Sequence, residues 1–275
     1  MNLRSYIFFV LIVLGINVGL VHAQSEADSI PASDIVENNV SVSGSDIEAE
    51  AAYRQNSFAE SIKLYESEIG KNKQIKKESP ELYYNLGNAY FRDNQIAKAI
   101  LNYERALLLD PGDSDIRHNL RFAKTRIEDK IDSADSFFIN QWISSIQNLF
   151  TANRWAIIGI VLFLALIIAV GSYVISTQIT VRKISFYSSI VLLALVIIAN
   201  AFAFRQKIKI VNRSTGIVMS ASVSIYTSPD AHSQELFRLH EGSKVRIKRE
   251  EGNWFEIVIA NGSVGWLQKK NIEKI

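Results

Sequence analysis

Two uncharged apolar runs, residues 155–175 and 184–204, constrain this chain more than any other feature. Each is long enough to cross a hydrocarbon layer of ~30 Å as an α-helix. Two soluble core helices this long and this apolar are hard to accommodate in 275 residues, because too little chain is left to cover them. Trp155, Tyr173, Tyr187 and Phe204 stand near the ends of the runs, where aromatic rings favour the membrane interface. Paired crossings return the chain to the side it left, so the segments before and after them are expected in one compartment.

Loop charge alone leaves the orientation open. Residues 176–183 carry Arg182 and Lys183, which favours a cytoplasmic loop, but Arg205, Lys207 and Lys209 follow the second run. The N-terminus breaks the tie. Residues 1–4 carry one positive charge, residues 6–20 are apolar, and Val21, His22 and Ala23 precede Gln24. That is the order and length of a secretory signal. Cleavage and retention as an N-terminal anchor both fit it, and both export the residues from Gln24 onward. The expectation is a two-pass inner-membrane protein with its N- and C-terminal domains in the periplasm.

Composition excludes several classes. A net charge of +2 is too small to argue for nucleic acid. With no Cys, disulfides, cysteine nucleophiles, thiolate metal sites and a lipid anchor on Cys all drop out. The four His residues are scattered, no glycine-rich phosphate loop is present, and the acidic residues spread over solvated helix faces. Neither catalysis nor a cofactor nor a metal is expected. Residues 24–45 are rich in Ser, Asp, Glu and Asn and cannot bury enough surface to offset their ordering entropy, so they read as a flexible tether.

Helical spacing begins near Asp46. Ala49, Ala52 and Tyr53, then Phe58, Ile62, Tyr65 and Ile69, form two segments divided at Gln55, Asn56 and Ser57. After a charged stretch, Ser79 and Pro80 supply an N-cap and a first helical residue. Tyr83, Leu86, Gly87 and Tyr90 line this helix; Ala99, Tyr103 and Ala106 line the next, and Pro111 ends it. Residues 80–113 resemble the tetratricopeptide consensus at nearly every signature position over its period of ~34 residues. Aligning Tyr65 with Tyr103 makes residues 46–79 a degenerate copy. Ile116, Leu120, Ala123 and Ile127, with Arg117, Arg121, Lys124 and Arg126 on the other faces, suit a solvating cap, giving a block at 46–130. Two repeats and a cap fall short of the usual three, so packing from outside the block is expected to help it.

Residues 136–150 place Phe138, Trp142, Ile146 and Leu149 on one uncharged helical face. It reads either as a helix lying on the membrane or the next span, or as an ordinary amphipathic helix packed on the repeats. Residues 210–275 change character, with short β-branched runs between turns and a hairpin signal at Asn261-Gly262. The order of a strand with Ser228-Pro229, then Leu239 to Gly242 and Val245, then Trp254 and Ile257, then Asn261-Gly262 and Gly265-Trp266-Leu267 resembles the bacterial SH3 family. That resemblance implies a five-stranded barrel of about 60 residues, near the lower limit for independent folding. The fold class is thus a multidomain membrane protein: an all-α repeat block, a transmembrane α-hairpin and a C-terminal all-β SH3-like barrel.

Candidate sites follow from these resemblances. In tetratricopeptide proteins the first helix of each pair lines the concave face. Asn85 and Asn88 stand there, and Arg117, His118 and Arg121 extend it on the cap, which suits a peptide carrying a carboxylate. Consensus Asn and a merely solvated cap explain the same residues. On the barrel, Tyr226, Trp254 and Trp266 are candidates for a ligand surface; the fixed place of Trp254 in the pattern favours core or partial burial, and Trp266 serves equally as core or platform. The order of signal, tether, repeats, two spans and SH3 module resembles the BatE family of the Bacteroides aerotolerance operon. That resemblance implies an envelope scaffold in oxidative stress tolerance, with a MoxR-type AAA+ ATPase and von Willebrand factor A proteins as partners. The competing reading is a cell-wall sensor whose SH3 module binds peptidoglycan peptides.

Overall fold

The computed structural model describes residues 44–75, 77–129 and 138–275. The signal at 1–23 and nearly all of the tether lie outside them; Gly44 and Ser45, read as the end of the tether, form the first turn of a helix.

Five helices make the repeat block: α1 (Gly44–Arg54), α2 (Phe58–Gln74), α3 (Pro80–Arg92), α4 (Ile96–Leu109) and α5 (Ser114–Lys124). Local chemistry sets their ends. The Ser79 hydroxyl accepts from the Leu82 amide at 3.3 Å, and Pro80 takes the first helical position. Asp113 accepts from the amides of Asp115 and Ile116 at 2.8 and 3.0 Å. Asn56 and Asn94, at φ 61 and 60, turn the chain between the two helices of each pair, a conformation Asn tolerates. They are offset by the same spacing as Tyr65 and Tyr103, so the degenerate copy keeps its register. Gly87 lets α3 and α4 touch: a Cβ there would lie 2.7 Å from the Tyr103 ring. Tyr65, Tyr83, Leu86, Tyr90, Ile100 and Tyr103 fill the core.

The C-terminal part is one antiparallel sheet of seven strands, in the order β3-β2-β6-β5-β4-β1-β7. The strands are β1 (Thr215–Val218), β2 (Ser222–Tyr226), β3 (Glu235–His240), β4 (Lys244–Glu251), β5 (Trp254–Val258), β6 (Val264–Gln268) and β7 (Ile272–Lys274). The two strands beyond the expected five are β1 and β7, which pair with each other. They have 4 and 3 residues, too few for an alternating pattern to stand out. Gly242, Gly252 and Gly262 take positive φ in the turns, where glycine has no Cβ to clash.

The repeats and the sheet share a core. Along β1 the side chains alternate. Ile217 joins the cluster of the repeat block, whereas Val218 joins that of the sheet. Ile275 enters the helical cluster as well, and Met219 packs on it. A Cβ on Gly242 would stand 2.5 Å from Ile127 and 3.1 Å from Ile100. This is the outside packing that a short repeat stack requires.

Helix α6 (Phe138–Gln147) leaves Trp142 exposed, while Gln147 is buried. The segment after it is held at two points. The Gln206 amide donates to the Gln147 carbonyl at 3.3 Å and to Asn148 Oδ1 at 3.4 Å. A Cβ on Gly112 would meet the Leu149 carbonyl oxygen at 2.5 Å.

Two long apolar helices complete the chain, α7 (Ala152–Ile175) and α8 (Ile179–Asn212), with mean hydropathy 2.8 and 2.2 in their most apolar windows. Phe163, Leu166 and Val196 pack between them, and Trp155 meets Phe202 edge to face at 5.0 Å. The connection is shorter than the sequence implied. Arg182 and Lys183 fall in the first turns of α8, and Arg205, Lys207 and Lys209 lie on the same continuous helix, because nothing in residues 179–212 breaks helical propensity.

Candidate functional site

The structure treats the five residues expected on the concave face differently. Asn88 Oδ1 accepts from the Tyr103 hydroxyl at 2.7 Å and from Asn119 Nδ2 at 2.9 Å; Asn119 also donates to Tyr84 Oη at 3.0 Å. Both lone pairs of Asn88 are thus occupied in tying α3, α4 and α5 together, and its N–H donors remain for a ligand. Asn85 is half-buried one turn away. Arg117 folds back, donating to the Gly112 carbonyl at 2.9 Å. His118 and Arg121 are exposed.

The sequence reading missed an exposed aromatic residue of the cap helix. Phe122 is 49% exposed and meets Phe91 at a tilt of 50°, with 5.5 Å between ring centres. Arg126 lies over the same ring at 5.7 Å, and Arg92 covers Phe58 at 5.0 Å. The heptad-like spacing of the cap gave no signal for it, because Phe122 lies off the buried stripe of Ile116, Leu120 and Ala123.

On the sheet, Tyr226 and Trp254 are half-buried and meet edge to face at 5.7 Å. Trp266 pairs with Tyr226 across β2 and β6, but only 6% of it is exposed and the Arg249 guanidinium lies over its ring at 5.0 Å. Tyr226 and Trp254 therefore form the accessible pair, and Trp266 backs them.

Charge concentrates where the sheet meets the repeats. The Glu104 side chain is 5% exposed and sits between Lys124 Nζ at 2.7 Å and Lys244 Nζ at 2.6 Å. Burial pushes its carboxyl up, but the Lys244 and Lys124 ammonium groups outweigh burial and hold it below the usual carboxylate range. Arg105 donates to Glu273 at 2.8 Å and to the Lys274 carbonyl at 2.9 Å, and Arg213 pairs with Glu78. A cleft of about 600 Å³ is lined by Lys124, Asp129, Thr215, Lys244 and Arg246. Among the described residues no group of three or more metal-ligating side chains converges.

Asp129 forms a latch on the turn between β3 and β4. It accepts from the His240 amide at 2.7 Å and the Ser243 hydroxyl at 2.5 Å, and it meets His240 Nδ1 at 2.8 Å. The Asp129 hydrogen bond raises the His240 pKa, with help from Glu128 at 3.6 Å and against burial and Arg238. For Asp129, burial pushes the carboxyl up, and the bonds from His240 and Ser243 more than reverse it. A raised histidine pKa adds stability below ~6.5 that is lost as pH rises through the folded value; a lowered carboxyl adds stability that is lost as pH falls below ~4. The latch is therefore tightest between these limits. The urea midpoint of the full chain is expected to fall between pH 6 and pH 8, and His240→Gln to flatten that slope. A slope unchanged in the variant would remove His240 as its source.

Residues 80–113 match the tetratricopeptide repeat family model, and residues 220–274 match the bacterial SH3 domain model. No curated protein and no solved structure matches the chain. Both matched families are binding domains, so the chain carries protein- or peptide-binding capacity in two places, beside two helices long and apolar enough to cross a membrane.

Proposed function

We propose that this protein is a membrane-anchored adaptor of the cell envelope that docks a protein partner on the concave face of its repeats. The observation that carries the reading is the exposed Phe122 on the cap helix, which meets Phe91 at 5.5 Å and carries the Arg126 guanidinium over its ring, on a helix that also exposes His118 and Arg121. The Asn85 and Asn88 amides would hold the partner's backbone alongside. The two apolar helices among the described residues, the signal-like N-terminus and the bacterial SH3 match support a two-pass topology with both aqueous parts in the periplasm. Likeness in domain order to the BatE family names the partners to test first, a MoxR-type AAA+ ATPase and von Willebrand factor A proteins. A second reading rests on the half-exposed Tyr226–Trp254 pair, which would give the SH3-like sheet a cell-wall peptide to bind.

Photo-cross-linking of the full chain in native membranes separates the two. A cross-linking residue at position 118 is expected to trap one of those partners. Arg121→Glu with Phe122→Ala is expected to weaken capture by roughly 10–100-fold, the effect of losing an aromatic anchor and reversing a charge. Cross-links from position 254 to wall peptide, with none from position 118 to protein, would transfer the function to the sheet.

A further inference from the structure

We propose that the last turns of α8 hold an anionic phospholipid: Arg205 and Lys209 bind its headgroup phosphate, and Phe204 and Ile208 pack on its glycerol backbone and upper acyl carbons. The inference rests on the reading that α7 and α8 cross a bilayer. Helix α8 has 34 residues, ~51 Å at 1.5 Å per residue. The hydrocarbon core is ~30 Å thick and the bilayer with its headgroups ~40–45 Å, which leaves a headgroup layer of ~5–8 Å on each side. With the apolar run at 184–204 in the core, Arg205 and Lys209 stand ~2 and ~8 Å beyond it on a helix along the normal. They bracket the level of the phosphates.

The charges there are unbalanced. Arg205 and Lys209 are one turn apart, where like charges repel. Both are exposed, as is Lys207, and none of the three has a carboxylate partner among the described residues. Lys209 Nζ meets Asn148 Oδ1 at 3.4 Å, and the charges acting on it, Arg205 and Lys244, are both cations. Lys244 is itself committed to Glu104. A phosphate between Arg205 and Lys209 turns repulsion into attraction, and the guanidinium can grip it with two N–H groups. A zwitterionic lipid also brings a cation, and no carboxylate is paired with this cluster to receive it.

The apolar side chains favour a lipid over a soluble anion. One side of the helix is packed: Ala203 and Gln206 are buried, and Gln206 donates to the Gln147 and Phe150 carbonyls at 3.3 and 3.5 Å. On the other side Phe204 and Ile208 are 57 and 40% exposed. Helix α6 ends where Gln206 holds it, carries no charge and leaves Trp142 exposed. Aromatic rings at this level suit the membrane interface.

The test titrates the full chain in detergent with dioleoylphosphatidylglycerol or dioleoylphosphatidylcholine and counts retained lipid by native mass spectrometry. Phosphatidylglycerol is expected to bind at least ~10-fold more tightly. Arg205→Gln with Lys209→Gln should weaken it roughly 30-fold, at about fivefold per basic residue, with an unchanged thermal midpoint. Arg205→Lys keeps the charge and should retain most of the binding. Lys63→Gln with Lys270→Gln removes as much charge from exposed sites on α2 and after β6 and should leave the preference intact. Inorganic phosphate at matched ionic strength should not displace the lipid. Equal retention of the two lipids, equal losses in the two double variants, displacement by inorganic phosphate, or a lipid-free dimer that Ile208→Asp splits would each overturn the assignment. Flotation with phosphatidylcholine liposomes separates the two readings. A chain that fails to float defeats the membrane reading itself, and one that floats without preferring phosphatidylglycerol defeats this inference alone.

Discussion

Replacing Lys124 and Lys244 together with methionine is expected to lower the stability of the joined repeat and sheet unit by ~3–5 kcal/mol, the usual cost of stranding a buried charge. Methionine keeps the aliphatic stems, so packing changes little. What changes is the Glu104 carboxylate, 5% exposed and left with no cation. Its response to pH should invert. In the native protein the carboxyl is held low, so its contribution is present above ~4.5 and lost as pH falls through the folded value. Without the lysines, burial alone acts and raises the folded pKa above the unfolded one. The variant should then gain stability on acidification, where the native protein loses it. Adding Glu104→Leu removes the charge altogether and should recover most of the loss, since an apolar replacement of a buried ionic group is often neutral or better. Circular dichroism through a urea series at pH 4.5 and pH 7 reads all three. A double variant as stable as the native chain would mean that water reaches Glu104 and that the ion pairs are ornaments of the surface.

Glu104 shows why position matters more than charge here. Its cations come from α5 and β4, so one carboxylate fastens the cap helix and the sheet to α4 together. Asp129 repeats the arrangement one step along, gripping the turn after β3. Arg105 does so at β7. All three attachments involve the second helix of the matched repeat or the end of the cap. The cap-helix face with Phe122, Arg121 and His118 keeps its exposure.

The elements that were legible in the sequence are those whose signal is local. Ser79 and Pro80 announce the start of α3, and Gly87 and Tyr103 announce the contact between α3 and α4, because each depends on neighbours within one hairpin. The bacterial SH3 pattern was readable for the same reason, with its turns and alternating apolar residues close together. The shared core was not. Ile217 belongs to a short strand whose alternation sends it into the helices rather than the sheet, and no window around residue 217 contains that information. The role of Asn88 as a strut was not legible, because its partner Asn119 lies a whole repeat away. Trp142 illustrates a pattern with two solutions: the apolar spacing of α6 was clear, and only the fold decides which side of the helix meets protein.

Ile217→Ala is expected to destabilise the helices as much as the strand that carries it. The side chain is fully buried in the repeats' cluster, and trimming a buried Ile to Ala costs ~2–5 kcal/mol. Against a total of ~5–15 kcal/mol for a domain, that is a large fraction. Hydrogen exchange distinguishes a shared core from two neighbouring modules. If the core is shared, amides of α4 should lose protection in parallel with those of β1, in one cooperative step. Val218→Ala is the control one residue on, because Val218 faces the sheet's own cluster. It should relax the strands by a similar mechanism and reach the helices only through global unfolding. Extending the cut, the repeats expressed alone as residues 44–129 would expose the surface that Ile217 and Ile275 now cover. Each of those residues contributes ~1.5–3 kcal/mol of burial, so the fragment should be marginal or unfolded at 25 °C. A fragment with the full chain's thermal midpoint, or an Ile217→Ala protein whose α4 amides stay protected while β1 exchanges, would show instead that the repeats stand without the sheet. The degenerate first copy would then suffice where a third repeat is normally required.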